Sequence, residues 1–358
     1  MKKLTTLFIL LAFILSVKAQ DTAIVPKPFF SSNITFTEKN LSDFYSTFNI
    51  DKNQVIFNAN NYKIFSYNKQ TGTKDWEFDA GRKTNRTPYI YGSSVIVGCY
   101  INEKQKCVRL DLSSGKLIQT LSIEPLNTKP FFKDSIMYCT ALSDGEGGQI
   151  MAYDLKTNNI IWKKFIAHGV DAQPYFLKNK IFANAEENNW FEINYKGQLM
   201  DSTCGEKPDI FVPDIICIKK FKILTHDNYE ITEQFIEKQF GSNAEVKWKY
   251  AVDKTIVLGG EKMLIIGNNK KIKKSIEIEK ILSLPEPGDN EYMEILKIEN
   301  NTVWFFYKNS LAVYDFEKNK TLREYNLSKW NAHQIMLDEN NIWLISKNDG
   351  QLYGLKMD

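Results

Sequence analysis

Short apolar runs, each entered from a turn of two to four residues, begin near Val55, Val95, Ile136, Ile181, Lys222, Leu264, Val303 and Ile342, at spacings of 40, 41, 45, 41, 42, 39 and 39 residues. A period near 40 commits a chain to a repeat architecture, because each unit leaves an apolar face that only its neighbour can bury. In the second unit the runs are "PYIY", "SVIVGCY", "CVRLDL" and "KLIQTL"; in the third they are "KPFF", "SIMYCTAL", "QIMAYDL" and "NIIWKKF". Each alternates apolar and polar residues and each break carries Gly, Asn, Ser or Asp, so a unit reads as four short antiparallel strands joined by hairpins. Four-stranded sheets repeated at this period imply a propeller blade.

A phrase recurs inside the units: "KIFSYNKQTGTKDW" at 63–76 and "QIMAYDLKTNNIIW" at 149–162. Asn68, Asp111 and Asp154 end a strand, where a short side-chain oxygen accepts hydrogen bonds from amides of the turn. Gly72, Gly115 and Asn158 follow four residues later, where the turn calls for a left-handed residue. Asp315 stands in the same position of a weaker copy, "LAVYDFEKNK". Trp76, Trp162 and Trp248 are spaced by 86 and 86 residues, twice the repeat, with Gln119 in the intervening place. The spacing predicts a column of flat rings that fill the wedge between adjacent sheets.

"YNKQTGTKDW", "LDLSSGK" and "YDLKTNNIIW" resemble the repeats of pyrroloquinoline-quinone-type β-propellers, whose unit reads roughly Ala-x-Asp-x-x-Thr-Gly-x-x-x-Trp. The resemblance is to the non-enzymatic branch that includes the propeller lipoprotein of outer-membrane assembly, which holds its partner through loops at one face. It implies an all-β fold, an envelope protein as partner and no cofactor. Quinone-dependent members of the family are about half again as long and carry adjacent cysteines and a calcium site. This chain has no adjacent cysteines and no acidic cluster assignable to calcium, so a quinone-dependent dehydrogenase is disfavoured.

The blade count follows from division. Removal of residues 1–19 from 358 leaves 339, about 42 for each of eight units or about 48 for each of seven, and the observed spacing selects eight with seven as runner-up. The last unit ends after its third strand, so the N-terminal segment "FFSSNITF", Phe29 to Phe36, is expected to supply the fourth and close the ring without exposed edges. One region fits the repeat badly: 227–248 reads as a strand with an irregular loop, although Ile231, Phe235, Ile236 and Phe240 are also spaced for one face of a helix.

Residues 1–19 carry Lys2 and Lys3, an apolar run from Leu7 to Val17 and Val17-Lys18-Ala19, the pattern of a cleaved secretory signal. The run is shorter than the roughly 20 residues that cross a bilayer, no later stretch approaches that length, and no cysteine follows the cleavage site to take a lipid. Residues 20–358 are therefore expected to form one propeller domain, soluble and periplasmic or secreted. Loss of Lys2, Lys3 and Lys18 takes the formal charge from +3 to about zero, which argues against nucleic acid as a partner.

The five cysteines, Cys99, Cys107, Cys139, Cys204 and Cys217, are too few and too irregular for a disulfide framework or a zinc site. Cys99 and Cys107 lie on the two sides of one hairpin, either as a bridge or as two buried thiols. His168, His226 and His333 fall in different units with no metal-ligand spacing. His168 and Asp171 share the most distinctive inter-blade loop, "AHGVDAQPY", a candidate for interaction rather than acid–base work. "SDGEGG" at 143–148 lacks the residues of a phosphate or calcium loop and reads as a hairpin. "NNKKIKKS" at 268–275 reads as a solvated strand edge, with a basic contact patch as the alternative. Three functions remain open: a non-catalytic protein-interaction scaffold in the bacterial envelope, favoured; a glycan or small-ligand binder using Trp190 and Trp330, which lie outside the column; and an enzyme assembled from several loops.

Overall fold

The computed structural model describes residues 23–35, 46–203, 223–225 and 229–357, apart from positions 60, 83, 85, 144–146, 168–172, 177, 186–188, 232, 242–243, 252, 268, 270, 284–289 and 291. The described residues form seven four-stranded antiparallel sheets and one two-stranded hairpin. In chain order the sheets are Thr47–Ile50, Gln54–Asn58, Lys63–Asn68 and Lys74–Asp79; Tyr89–Tyr91, Ser94–Ile101, Lys104–Asp111 and Leu117–Leu121; and Phe131–Lys133, Ile136–Ser143, Gly147–Asp154 and Asn159–Ala167. The fourth is Tyr175–Phe176, Lys180–Ala185, Asn189–Asn194 and Leu199–Thr203; the fifth is Val246–Ala251, Lys254–Gly259, Lys262–Gly267 and Ile272–Glu277; the sixth is Met293–Glu299, Thr302–Tyr307, Ser310–Asp315 and Lys320–Asn326. The seventh takes Ala332–Asp338, Asn341–Ser346 and Leu352–Lys356 from the C-terminal end and adds Lys27–Ser31 beside the last of them. The N-terminal segment thus supplies the fourth strand of the last sheet, as the sequence predicts.

The regular spacing breaks in one place. The second strands of the seven sheets begin at Gln54, Ser94, Ile136, Lys180, Lys254, Thr302 and Asn341, in steps of 40, 42, 44, 74, 48 and 39 residues. Leu264, read as the start of a unit, lies on the third strand of the fifth sheet. Inside the 74-residue step stand the hairpin Ile223–Thr225 with Tyr229–Ile231 and a helix, Glu233–Phe240. The helix corrects the strand-with-loop reading of 227–248. Phe235, Ile236 and Phe240 form its half-buried stripe, and Gly241, at φ +98°, ends it by donating its N–H to the Glu237 carbonyl at 3.0 Å.

Two compact units are distinguishable: residues 28–242 with 333–357, and residues 1–27 with 243–332. In the first, cores form between successive sheets. Ile56, Ile64 and Trp76 of the first sheet pack with Val95, Val97, Val108 and Leu110 of the second. Ile96, Cys107 and Leu121 of the second pack with Met137, Met151 and Tyr153 of the third. Alternation explains the pairing, since odd and even positions of one strand serve opposite neighbours. In the other unit Ile256, Leu258, Met263 and Ile265 pack with Val303, Phe305 and Tyr314.

The seventh sheet joins the first through the N-terminal strand. Phe30 lies 5.1 Å from the Tyr67 ring and 5.4 Å from the buried Trp343 ring, and a Cβ at Gly72 would come within 3.1 Å of Phe30 Cδ2. Gln334 acts as a one-residue strand here: its Oε1 accepts the Phe48 N–H at 3.1 Å and its Nε2 donates to the Phe48 carbonyl at 3.0 Å. Lys69 and Asp338 pair at 2.7 Å with both side chains largely covered. Gln351 ties the incoming strand by accepting from the Ile34 N–H at 2.8 Å and donating to its carbonyl at 2.7 Å. Replacement of Phe30 by alanine removes the ring from this joint and is expected to lower unfolding stability by about 3 kcal/mol, read as a fall in the urea midpoint; an unchanged midpoint would show that the N-terminal strand does not hold the seventh sheet to the first.

Candidate interaction surface

In several sheets the turn between the third and fourth strands lies against the fourth strand of the preceding sheet. In these turns the Asn or Asp side chain caps two or more donors. Asn68 Oδ1 accepts the Gln70 and Thr71 N–H groups at 3.0 Å each, and Asp111 Oδ1 accepts both the N–H and the Oγ–H of Ser113 and of Ser114 at 2.6 to 3.1 Å. Asp154 takes the Lys156 N–H and the Thr157 and Ser135 hydroxyls; Asp315 takes the Glu317 and Lys318 N–H groups. Asn194, unnoticed in the sequence, does the same for Lys196 and Gln198. Each turn has one left-handed residue, the fifth in four of them, Gly72 at φ +70°, Gly115 at +68°, Asn158 at +59° and Asn319 at +51°, and the fourth in the turn from Asn194, Gly197 at +80°.

What lies over that residue explains its identity. Trp76 packs on the Gly115 turn, where a Cβ would fall 2.6 Å from ring atom Cδ2, and its Nε1 donates to the Leu112 carbonyl at 2.9 Å. Trp162 treats the next such turn alike, with Gly197 beneath and the Tyr195 carbonyl accepting at 3.1 Å. Each acceptor is the residue after the capping Asn or Asp. Gln119 occupies the intervening place, and there Asn158 replaces glycine; its Oδ1 accepts the Tyr153 hydroxyl at 2.5 Å and its Nδ2 donates to the Thr120 carbonyl at 3.3 Å.

A β-bulge fixes the column, because the kink turns this side chain out of the sheet's alternation. Trp76 opposes Ser66, Gln119 opposes Arg109 and Trp162 opposes Ala152, each directly before a register shift. In the fifth sheet that place belongs to Lys274, opposite Ile265. Its ammonium donates to the Phe316 carbonyl, again the residue after the capping Asp315, and to Asn319 Oδ1 at 2.9 Å. Trp248 lies on the first strand of that sheet, opposite Val257, so its 86-residue spacing does not put it in the column. The insertion of the hairpin and helix shifted the phase.

The other candidates fall as follows. Cys107 opposes Gly98, and Cys99 opposes Lys106, one position along. The two thiols therefore face different cores, and the Cys99–Cys107 bridge is not formed; both are free and buried, as is Cys139. Burial pushes the Cys99 thiol up to about 11 and that of Cys139 to about 12, so neither is a thiolate near neutrality. Trp330 is 2 % exposed and offers no aromatic face to a ligand. Trp190 lies on a strand opposite Asn184 and Thr203. His168, Asp171, His226, Cys204, Cys217 and the signal at 1–19 lie outside the described residues, as does part of "SDGEGG", whose flanking Ser143 and Gly147 are paired across a hairpin. His333 is partly buried on the first strand of the seventh sheet, which lowers its basicity, with Lys347 adding to the effect. Among the described residues no three His, Cys, Asp or Glu side chains converge as metal ligands.

The exposed apolar side chains have a pattern of their own. Leu117 and Ile118, Ile160 and Ile161, and Leu199 and Met200 lie at equivalent places at or near the starts of the fourth strands of three consecutive sheets, each side chain between 37 % and 54 % exposed. Alternation alone would bury one of each pair, so these are edges with apolar residues on both sides.

Residues 33–130 match the family model PQQ_2, described as outer membrane protein assembly factor BamB. Over those residues the chain is similar to the repeats of that family. The match spans the first two sheets of the propeller and ends at the start of the third. No curated protein matches the chain by sequence at a significant level. Among solved structures, the C-terminal WD40 domain of Sif2 is similar at a TM-score of 0.62 and 10% identity, over 94% of this chain and 99% of that one. The computationally designed Ika8 protein is similar at 0.61 and 13% identity, over 87% and 95%. At such identities the likeness is one of fold, and the fold is propeller-like. BamB from Moraxella catarrhalis aligns at a TM-score of 0.46 and 13% identity, over 86% of this chain and 81% of that one.

Two predictions follow from the joints between blades. Gly115→Ala is expected to cost about 2 kcal/mol or more, because the new methyl meets the Trp76 ring at a positive φ, whereas Asn158→Gly, with no ring above it, costs well under half as much; urea melts of both decide it. The capping carboxylates of Asp111, Asp154 and Asp315 are held below the ordinary value of 3.8, mainly by the Ser113 and Ser114 hydroxyls for Asp111 and by backbone N–H groups for the other two. A depressed carboxylate stabilises the fold above its unfolded pKa and loses that contribution as pH falls through the folded value. The thermal midpoint should therefore drop between pH 4 and pH 2 more steeply in the parent than in Asp111→Asn, and equal slopes would show that the Asp111 cap contributes nothing.

Proposed function

We propose that this protein is an exported, non-catalytic β-propeller that holds another protein of the bacterial cell envelope. The observation that carries the reading is the match of residues 33–130 to the outer-membrane assembly family, together with the same repeat chemistry continued in Asp154, Asn194 and Asp315 beyond the matched stretch. The N-terminal pattern of Lys2, Lys3, Leu7 to Val17 and Ala19 supports export, with Gln20 as the first mature residue. No helix among the described residues is long and apolar enough to cross a membrane. The proposal includes eight blades in a closed ring, as the sequence spacing implies, with the hairpin at 223–231 as the reduced fifth blade and Lys27–Ser31 completing the last.

Burial of Trp330 removes one of the two rings on which a carbohydrate-binding reading rests. The reading is tested by in-cell crosslinking of the tagged protein, with mass spectrometry of its N-terminus and of what co-purifies. Recovery of one or two envelope proteins and an N-terminus at Gln20 is the expected result; an uncleaved protein in the cytoplasm, or no partner above background, overturns it.

A further inference from the structure

The bulge that aims the column also sorts the fourth strands by chemistry. In each of the first six sheets it leaves one residue of the fourth strand without a ladder partner: Asp75, Ile118, Ile161, Met200, Lys273 and Leu322. A residue inserted in this way is re-aimed out of the alternation, so two consecutive side chains can stand in solvent. In the second, third and fourth sheets both are aliphatic: Leu117 and Ile118, Ile160 and Ile161, Leu199 and Met200, between 37 % and 54 % exposed. In the others a polar residue breaks the doublet, as in Lys74–Asp75, Ile272–Lys273 and Thr321–Leu322.

The three doublets stand side by side. Asn158, in the turn before the second of them, reaches the Thr120 carbonyl just past Ile118 at 3.3 Å, and Trp162, directly after Ile161, reaches the Tyr195 carbonyl just before Leu199 at 3.1 Å. Charge is sorted with them. The turns and fourth strands of these sheets, residues 112–121, 155–167 and 195–203, hold five lysines, Lys116, Lys156, Lys163, Lys164 and Lys196, all exposed, and one acidic residue, Asp201. The same stretch of the first sheet, 69–79, holds two lysines and three acidic residues. The fifth sheet has the lysines without the doublet.

Aliphatic doublets among lysines suit one class of partner better than another. Protein interfaces draw their energy from Trp, Tyr and Arg seated in pockets and are poor in lysine. Trp162 and Tyr195, the only residues of those types in these stretches, are engaged in the joint. A lipid surface asks for less: aliphatic side chains that enter the interface at one level, and cations for the headgroups. We infer that this row of bulges is a docking surface for a bilayer with anionic headgroups. The protein lies on it through Leu117, Ile118, Ile160, Ile161, Leu199 and Met200, with the lysines against the lipid phosphates. The inference goes beyond the scaffold reading and does not depend on it.

The test floats the purified mature protein with vesicles of phosphatidylglycerol and phosphatidylcholine in equal parts. Binding is expected there, at least tenfold weaker on pure phosphatidylcholine and falling as salt is added. Ile118→Ser, Ile161→Ser and Met200→Ser together should weaken it at least tenfold without moving the urea midpoint, because all three side chains are exposed. Lys116→Glu, Lys156→Glu and Lys196→Glu together should do the same, whereas Ile272→Ser, on the fifth sheet, should bind within twofold of the parent. Ile161→Trp should gain fluorescence quenching by lipids brominated on the acyl chain, which adsorption by charge alone would not produce. Absence of binding to the mixed vesicles, undiminished binding by the triple serine variant, or an Ile161→Trp variant quenched no more than the parent overturns the proposal. So does a parent dimer in sedimentation that the serine variant dissolves without any vesicle binding, since the row would then serve a second copy. A serine variant that leaves the vesicles yet still recovers the envelope partner in crosslinking supports both readings; a parent that recovers the partner and binds no vesicle leaves only the scaffold.

Discussion

The structure depends on a joint made where the fourth strand of one sheet meets the turn of the next. The turn must expose one carbonyl, the residue after its capping Asn or Asp, and the strand must bring a donor to it. Trp76 and Trp162 do so with an indole N–H, Lys274 with an ammonium. The ring solution demands glycine beneath, because a Cβ on the left-handed residue of the turn would lie 2.6 Å from it. Without a ring, asparagine suffices at 158 and 319, since it tolerates the same backbone and contributes its own hydrogen bonds. Phe30 is a third solution, a ring without a donor, and the looser 3.1 Å approach to Gly72 accompanies the missing hydrogen bond. There Gln334 and the Lys69–Asp338 pair supply the polar part of the joint.

A fold held this way has a consequence for its surface. Within each compact unit the apolar faces of successive sheets pack on one another, the first on the second and the second on the third in one, the fifth on the sixth in the other. The exposed apolar pairs stand at the fourth strands of three successive sheets, so the repeat has been differentiated there by a few side chains.

Much of this was legible in the sequence. The four strands of the second and third units, the caps at Asn68, Asp111 and Asp154, and the left-handed positions at 72, 115 and 158 all follow from turn chemistry that acts over five residues. Completion of the last sheet by the segment at Phe29 followed from counting strands. Two readings failed, and one open choice was decided, where the relevant distance is not local. Trp248 kept an 86-residue spacing by coincidence, because a hairpin and the helix Glu233–Phe240 replace a regular unit before it. For Cys99 and Cys107, left as a bridge or as two buried thiols, an offset of one residue in the hairpin register sends the thiols to different cores and decides for the second. Trp330, outside the column and so a candidate for an exposed ring, is buried beside the Leu327 turn, which donates no sequence signal.

By itself, then, the sequence determined the repeat, its strands and the chemistry of its turns, because these are set by hydrogen bonds and steric limits within a few residues. Only the tertiary structure decided which residue fills each joint. Lys274 replaces a tryptophan because a bulge opposite Ile265 aims it at Phe316, 42 residues away, and Phe30 serves the seventh sheet from the other end of the chain. Such assignments depend on register and on contacts between units, to which a local pattern of apolar and polar residues is blind.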